Sequence, residues 1–369
     1  MRILHINSAR SFGGGERHTA DLANALARRG HEVFAATPKG APLASELKRV
    51  PDEHVFELPL RNALDVQSAI ELARRVREQG IEIIHAHVAR DYLLAALASR
   101  RSATPLVLTR HLERPLKSLH KWTLSGVARV IAVSEAVERS LVAQKIFPPE
   151  KIRRIPNGID IERFERRVRD FDIQRFRRLS GIKGRLVVGV AGELREHKGQ
   201  EDFIRAAHLV AQEFVDVDFV IAGEDQSPRK EYRARLERLV QELNLQARVH
   251  FTGWLEDLAT LLPALNIFVS SSRVEPFGLV MVEAMAAGLP VVATATGGAR
   301  EIVEDGVTGK LVAVGDVQAL SKIISALLSN EEARARMGEQ GRLRARSRFS
   351  LERMVDETEA LYREVVQAQ

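Results

Sequence analysis

Two glutamates eight positions apart, Glu275 and Glu283, stand in an otherwise apolar stretch at residues 270–288, SSSRVEPFGLVMVEAMAAG. Pro276 suits the start of a helix and Gly288 its C-terminal cap. Glu275 would then sit in the preceding loop, and Glu283 would project from the helix roughly two turns on. Free backbone N–H groups around Phe277, Gly278 and Leu279 would be placed to hold a diphosphate. Burying two carboxylates among such neighbours is costly unless hydroxyls or bases of a ligand satisfy them. A helix-dipole partner plus a surface acid would fit Glu275 tolerably but Glu283 badly.

A cationic segment precedes them, VAGELREHKG at 190–199. Lys198 and Arg195 can neutralise charge on a leaving diphosphate; alone, the segment would read as a surface turn. Gly192 and, further on, Gly253 count as donor-binding positions beside them. Near the N-terminus, FGGGE at 12–16 lies shortly after a strand and before a helix. Gly14 and Gly15 there let backbone N–H groups approach a phosphate or sugar; a plain turn would use the same glycines. The motif fails as a dinucleotide fingerprint, because His18 occupies the third glycine position. His85, His87 and His111 fall at strand ends, where they could face a ligand or serve as satisfied structural groups. A metal centre would call for carboxylates nearby, and the sequence places none, so no metal is expected.

These residues need a scaffold, and apolar runs supply one. Residues 3–6, 33–36, 82–85, 106–109, 130–133 and 152–155 read as buried strands, with helical stretches at 19–29, 65–79 and 91–100 between them. The pattern restarts at 186–191, 218–222, 249–252, 266–270 and 291–294. Continuous apolar strands alternating with helices argue for parallel, doubly wound sheets. Two α/β Rossmann-like domains follow, 1–165 and 166–349, with ligands expected at the carboxyl ends of the strands. A terminal helix at 350–369, with Leu351, Met354, Val355, Leu361, Tyr362 and Val365 on one face, could cross back to the first domain.

Composition excludes several classes. The 369 residues contain no cysteine, which removes thiolate nucleophiles, disulfides and thiolate metal sites. The net charge of +6 is local: 151–185 holds twelve basic and five acidic residues, leaving 43 basic and 44 acidic elsewhere. That distribution suits a solvated linker better than a nucleic-acid face, and no nucleic-acid partner is expected. The window 278–298 has one charge and imitates a membrane span, but Gly288 and Pro290 break it into a buried helix and a buried strand. No N-terminal stretch reads as a signal peptide, so the expected address is cytoplasmic. At 110–122, Arg114, Lys117, Lys121 and Trp122 could rest on the inner face of a membrane or form an ordinary solvated helix.

Taken together, these segments resemble glycosyltransferase family 4, the retaining enzymes of the GT-B fold, in which two Rossmann-like domains face each other across a cleft. The stretch EPFGLVMVEAMAAGLPVVATATGGAREIVEDGVTGKLV is similar to the family's E-x7-E signature, Glu275 to Glu283. GGGERHTADLANALARRGHEV, HAHVAR, VIAVSEAV, IPNGID and FTGW match its usual landmarks. The resemblance implies a nucleotide-diphospho-sugar donor (UDP, GDP or ADP) in the second domain and a hydroxyl acceptor in the first. It implies that Glu283 binds the ribose hydroxyls and Glu275 the transferred sugar. Lys198 and the amides of Phe277, Gly278 and Leu279 would hold the diphosphate. His111 would touch the sugar or reacting centre, and Gly14 and Gly15 would approach the phosphate. One departure stands out: Glu193 occupies the place of the family's usual arginine, and Arg195 could take over its charge from the same face of an extended chain. Asp216-x-Asp218 and Asp170-x-Asp172 resemble the metal-binding DxD of another glycosyltransferase fold, but their positions at a core strand and in the basic segment do not suit a metal.

The implied chemistry is metal-independent transfer through an oxocarbenium-like transition state, with retention by front-face attack. No cofactor is needed beyond the nucleotide sugar as co-substrate. Two other activities fit the same scaffold: a nucleotide-sugar 2-epimerase, and a non-catalytic sugar-nucleotide-binding module. The acceptor is not legible, although glycan, lipopolysaccharide or glycolipid assembly would suit the reading.

Overall fold

The protein is described here by a computed structural model covering residues 1–368. It divides into two compact units, Met1–Gly158 joined by the helix Leu351–Gln367, and Ile159–Ser350. A boundary at 165 would cut the helix Ile161–Arg169 in two. From Ile159 onward the basic segment is therefore part of the second unit, not a free linker, whereas Lys151, Arg153 and Arg154 belong to the first. Phe164 is buried, Arg167 pairs with Asp257 at 2.6 Å, and Glu165 with Arg346 at 2.6 Å.

The first unit is a seven-stranded sheet. Its strands are β1 (Arg2–Ile6), β2 (Glu32–Thr37), β3 (Val55–Glu57), β4 (Ile83–Ala86), β5 (Leu106–Arg110), β6 (Arg129–Ala132) and β7 (Ile152–Arg154). They run parallel in the order β3-β2-β1-β4-β5-β6-β7. The second unit has β8 (Leu186–Ala191), β9 (Val217–Ala222), β10 (Val249–Gly253), β11 (Ile267–Ser270), β12 (Val291–Thr294) and β13 (Gly309–Val312), in the order β10-β9-β8-β11-β12-β13, again all parallel. Each sheet has one switch point, β1/β4 in the first and β8/β11 in the second. There, successive crossovers leave to opposite sides and open a crevice at the carboxyl ends.

Strands β3 and β13 were not expected from the apolar runs. Both lie at a sheet edge and are only partly buried. An edge strand needs no continuous apolar run, so it leaves a weak signal. The window 278–298 resolves into the helix Leu279–Ala286 and strand β12, and among the described residues no helix is long and apolar enough to cross a membrane. Both DxD pairs serve the backbone. Asp218 accepts the amides of Lys183 and Gly184, Asp216 that of Arg185, and Asp172 caps a helix through the amide of Arg175; Asp170 ends the preceding helix.

The C-terminal helix completes the first unit's core. Leu351, Met354, Val355, Leu361, Tyr362 and Val365 pack among Leu22, Leu26, Ile83 and Val107. Arg29 anchors the helix from outside, bonding Asp356 at 2.6 Å and Glu359 at 3.0 Å. The fully buried Tyr362 places its hydroxyl 2.5 Å from His85 Nδ1. Tyr362→Phe leaves that nitrogen without its partner and is expected to cost about 1–3 kcal/mol, and Tyr362→Ala about 3–5 kcal/mol. Urea unfolding followed on the first unit checks the order; equal midpoints for wild type and Tyr362→Phe would contradict it.

Candidate active site

In the second unit, the loops leaving β8 and β11 meet at the switch point. The β8 loop runs from Gly192 to a 3-10 turn at Glu196–Lys198, and Gly199 then opens the helix Gln200–Glu213. The β11 loop runs through Ser271, Ser272, Arg273 and Glu275. The two are strapped together by the amide of Arg273 on the carbonyl of His197 (2.7 Å) and the Ser271 hydroxyl on the carbonyl of Lys198 (3.2 Å). Asp202 holds Arg273 from below at 3.1 Å.

That framework sets Lys198 against Glu275, with Nζ 2.6 Å from Oε2. The Ser272 hydroxyl adds a bond to the same oxygen at 3.3 Å, and the carbonyl of Glu275 accepts the amide of Gly298 at 2.9 Å. Glu275 is 7% exposed, so its carboxylate is fixed rather than solvated. Gly298 has to be glycine: a Cβ there would lie 2.1 Å from the carbonyl oxygen of Phe277. His197, next to Lys198, is held below the ordinary imidazole range by burial and then by the charges of Lys198 and Arg195.

The helix after the loop starts later than its proline suggested. It spans Leu279–Ala286 with Gly278 as its N-cap at φ +104°, a conformation that favours glycine. Pro276 lies in the loop, and Glu283 stands about one turn into the helix, not two. The first turn leaves backbone N–H groups without intrahelical acceptors, beside Glu275 and Lys198. Glu283 is 1% exposed on this helix. Gly288, at φ +79°, follows the last turn, and Leu289 N bonds the carbonyl of Ala284 at 3.0 Å.

Arg195 is extended, as its spacing from Glu193 required, but its guanidinium does not stand free. Its Nε lies 2.6 Å from Glu193 Oε1, with the arginine side chain 57% exposed. The residue in the family's arginine position thus neutralises its own replacement. Gly192 follows β8, Gly253 ends β10, and Gly223 lies against both, its amide bonding the carbonyl of Gly253 at 2.8 Å. Gly223, Ser272, Asp202 and Gly298 were missed in the sequence. Only the GG at 297–298, followed by a helix, carried a usable signal.

In the first unit, Gly14 and Gly15 are not a loop before a helix but its first turn. The helix Gly14–Arg28 begins there, and Glu16 turns back to accept the amide of Gly13 at 3.0 Å. A Cβ on Gly15 would touch the ring of His111, 3.8 Å away. Beside them Ser8 bonds Asp91 and accepts from Arg90 Nε at 2.5 Å. His85 and His87 join His111 in one buried group with His5 and His18, two histidines the strand-end argument did not single out. Burial holds His5 at about 3 and His18 at about 4, and keeps His85, His87 and His111 well below the ordinary range. All five are neutral at pH 7. His111 belongs to the first unit and Glu275, Glu283 and Lys198 to the second.

Residues 12–163 match Glycosyltransferase Family 4, and residues 172–344 match Glycosyl transferases group 1. The chain is 26% identical over 376 residues to N-acetyl-alpha-D-glucosaminyl L-malate synthase of Bacillus anthracis, covering 96% of this chain and 95% of that one. It is 25% identical to the UDP-Gal:alpha-D-GlcNAc-diphosphoundecaprenol alpha-1,3-galactosyltransferase of Escherichia coli, covering 99% and 97%. Among solved structures, Anabaena Alr3699/HepE in complex with UDP and glucose superimposes with a TM-score of 0.84 at 25% identity, covering 98% of this chain and 99% of that one. The two parallel-sheet units and both family matches lead to one conclusion: the chain is a glycosyltransferase of family 4, group 1, built on the GT-B fold.

Proposed function

We propose that the protein transfers a sugar from a nucleotide-diphospho-sugar to a hydroxyl acceptor with retention of anomeric configuration, in glycan, lipopolysaccharide or glycolipid assembly. The observation that carries this reading is the Lys198–Glu275 pair beside the open helix turn at Gly278 and Leu279. A cation, free N–H groups and a buried carboxylate at a switch point fit a diphosphate joined to a sugar. The UDP and glucose found with the Anabaena structure support a nucleotide-diphospho-sugar as the donor.

The pair also sets the order of events. Without donor, Lys198 is neutralised by Glu275. A diphosphate would compete for Lys198 and release Glu275 to accept hydroxyls of the sugar, while Glu283 takes the ribose. The anomeric carbon–oxygen bond to the diphosphate breaks, and the acceptor oxygen bonds to that carbon on the same face. The acceptor's proton passes to the departing phosphate oxygen. Charge developing on that oxygen is stabilised by Lys198 and the amides of Phe277, Gly278 and Leu279, preorganised by the straps between the loops. His111, Gly14 and Gly15 would meet the sugar and phosphate from the first unit. These roles need no metal.

Nucleotide release from UDP-, GDP- and ADP-sugars, with and without acceptors, tests the reading. Lys198→Ala and Glu275→Ala are each expected to lower kcat about 100-fold; release unaffected by either would refute the site. Conversion of a UDP-sugar incubated alone, followed by NMR, would favour a 2-epimerase instead. Glu193→Ala should act in the opposite direction. Freeing Arg195 from its exposed ion pair is expected to tighten UDP binding about two- to fivefold in calorimetry, without changing the affinity for uridine. Equal UDP affinity would mean that Arg195 does not reach the diphosphate.

A peripheral membrane contact has its own support. Trp122 is 79% exposed, Leu119 58% and Leu112 53%, next to Arg114, Lys117 and Lys121. Apolar side chains presented among cations suit the interface of an anionic bilayer. Sedimentation with anionic vesicles is expected to retain the protein, and Lys117→Glu/Lys121→Glu to weaken retention about tenfold or more. Equal retention of wild type and variant on anionic vesicles would remove this contact.

A further inference from the structure

The buried histidines of the first unit hold more ring nitrogens than the fold satisfies. His5 comes from β1, His18 from the helix Gly14–Arg28, His85 from β4, His87 from just after it, and His111 from just after β5. The rings lie against one another, His85 and His87 with centroids 4.1 Å apart, and His18 and His111 4.9 Å apart edge to face. His85 is fully committed, Nδ1 to Tyr362 and Nε2 to Thr109 at 2.7 Å. His5 Nδ1 and His87 Nε2 share a hydrogen bond of 2.9 Å. That leaves His87 Nδ1, His111 Nε2 and His5 Nε2 buried without a hydrogen-bond partner, while the side chain of Asn157 stands against His18 and would exchange its contact for a ligand there.

A buried polar nitrogen left bare is costly, so the group implies an occupant, either water or an ion. Geometry favours the ion. Ring nitrogens of His18, His87 and His111 lie within 4.8 Å of one another. Bonds of about 2.0–2.1 Å to a tetrahedral Zn²⁺ place ligand nitrogens about 3.3 Å apart, a closure that modest ring rotation supplies. The imidazoles are neutral, the form that ligates. His5 holds His87 through its Nε2 and leaves Nδ1 as the ligand atom, the usual arrangement behind a metal-bound histidine. A second triad, His5, His85 and His87, is equally close, but it would have to break the bonds of His85 to Tyr362 and Thr109.

We propose that His18, His87 and His111 bind one divalent transition-metal ion of the Zn²⁺ type, with His5 orienting His87 and an open fourth position on the side of His111, the least buried of the three. Residue spacing carries no signal of such a site, because it contains no carboxylate and is built from imidazoles alone. The ion claims the same imidazole that the transfer reading gives to the sugar. Zn²⁺ therefore inhibits transfer, a consequence that rests on that reading, whereas the binding site does not.

The test uses the full chain, stripped with a chelator and titrated with Zn²⁺ alone in a calorimeter, without sugar nucleotide. One Zn²⁺ per chain is expected, and Co²⁺ in its place should give the intense visible absorption of a four-coordinate site. His111→Ala, at the edge of the group where folding is least at risk, should abolish that absorption. His5→Gln should weaken Zn²⁺ binding about 10–100-fold, and His120→Ala, outside the group, should leave it unchanged. Absence of stoichiometric binding, or binding that His111→Ala does not alter, overturns the proposal and assigns the nest to water. Zn²⁺ binding without inhibition of transfer would keep the site but remove His111 from the sugar.

Discussion

Parallel strands that lie side by side at a switch point send their following chains to opposite sides of the sheet. In the second unit that constraint falls between β8 and β11, and everything chemical in the unit follows from it. The loop after β8 brings Lys198 and the loop after β11 brings Glu275. Neither loop fixes its functional side chain alone. The carbonyls of His197 and Lys198 accept bonds from Arg273 and Ser271, and Asp202 steadies Arg273. The ion pair is thus the visible end of a backbone clamp. The first unit repeats the arrangement between β1 and β4, whose following loops carry Ser8 and Asp91, already bonded to each other.

Charge balance at the clamp has a consequence for ligand choice. Lys198 with Glu275 and Arg195 with Glu193 make two close ion pairs, so four charged groups sum to zero before any ligand arrives. A dianionic group entering beside them meets cations that are already partnered. Its attraction comes first from the helix turn at Gly278, whose N–H groups carry positive partial charge. The pairs differ in what their exchange costs. Glu275 is buried and needs new hydrogen bonds when Lys198 leaves it, which a sugar's hydroxyls can provide. Glu193 and Arg195 reach solvent, so their separation is nearly free. A ligand with both phosphate and hydroxyls is therefore favoured over either alone.

Much of this was legible in the residues, and the rest failed for identifiable reasons. The parallel α/β class and the central strands followed from continuous apolar runs, because strands buried on both faces must be apolar. The edge strands β3 and β13 lacked that pressure and stayed invisible. Glu275, Glu283 and Lys198 stood out because carboxylates and a cation are conspicuous in apolar surroundings. Ser272, Asp202 and Gly298 did not, since a serine in a loop, an acid in a helix and a second glycine in a GG pair are ordinary until the fold brings them together. The start of the helix at Leu279 was misread because Pro276 favours a first turn, whereas the loop needs three more residues to carry Glu275 past Lys198 and let Gly278 take φ +104°.

The histidines show the limit most clearly. His5 alternates with core residues on β1, and His18 sits between Arg17 and Thr19 at the start of a helix; neither position suggests a partner. Only the strand order, which puts β1 beside β4 and β4 beside β5, collects them with His85, His87 and His111. The C-terminal helix then seals the group, because Tyr362 arrives from the far end of the sequence to bond His85. A single imidazole in an apolar core would be costly and uninformative. Five of them, neutral and packed together, share a single hydrogen bond, His5 Nδ1 with His87 Nε2, and leave His5 Nε2, His87 Nδ1 and His111 Nε2 without one. The unsatisfied end lies beside Gly15, in the first turn of a helix, where the backbone also presents open N–H groups. Both units therefore bring their uncompensated polar atoms to the carboxyl ends of the strands at a switch point, the one place in such a sheet where a ligand can reach them.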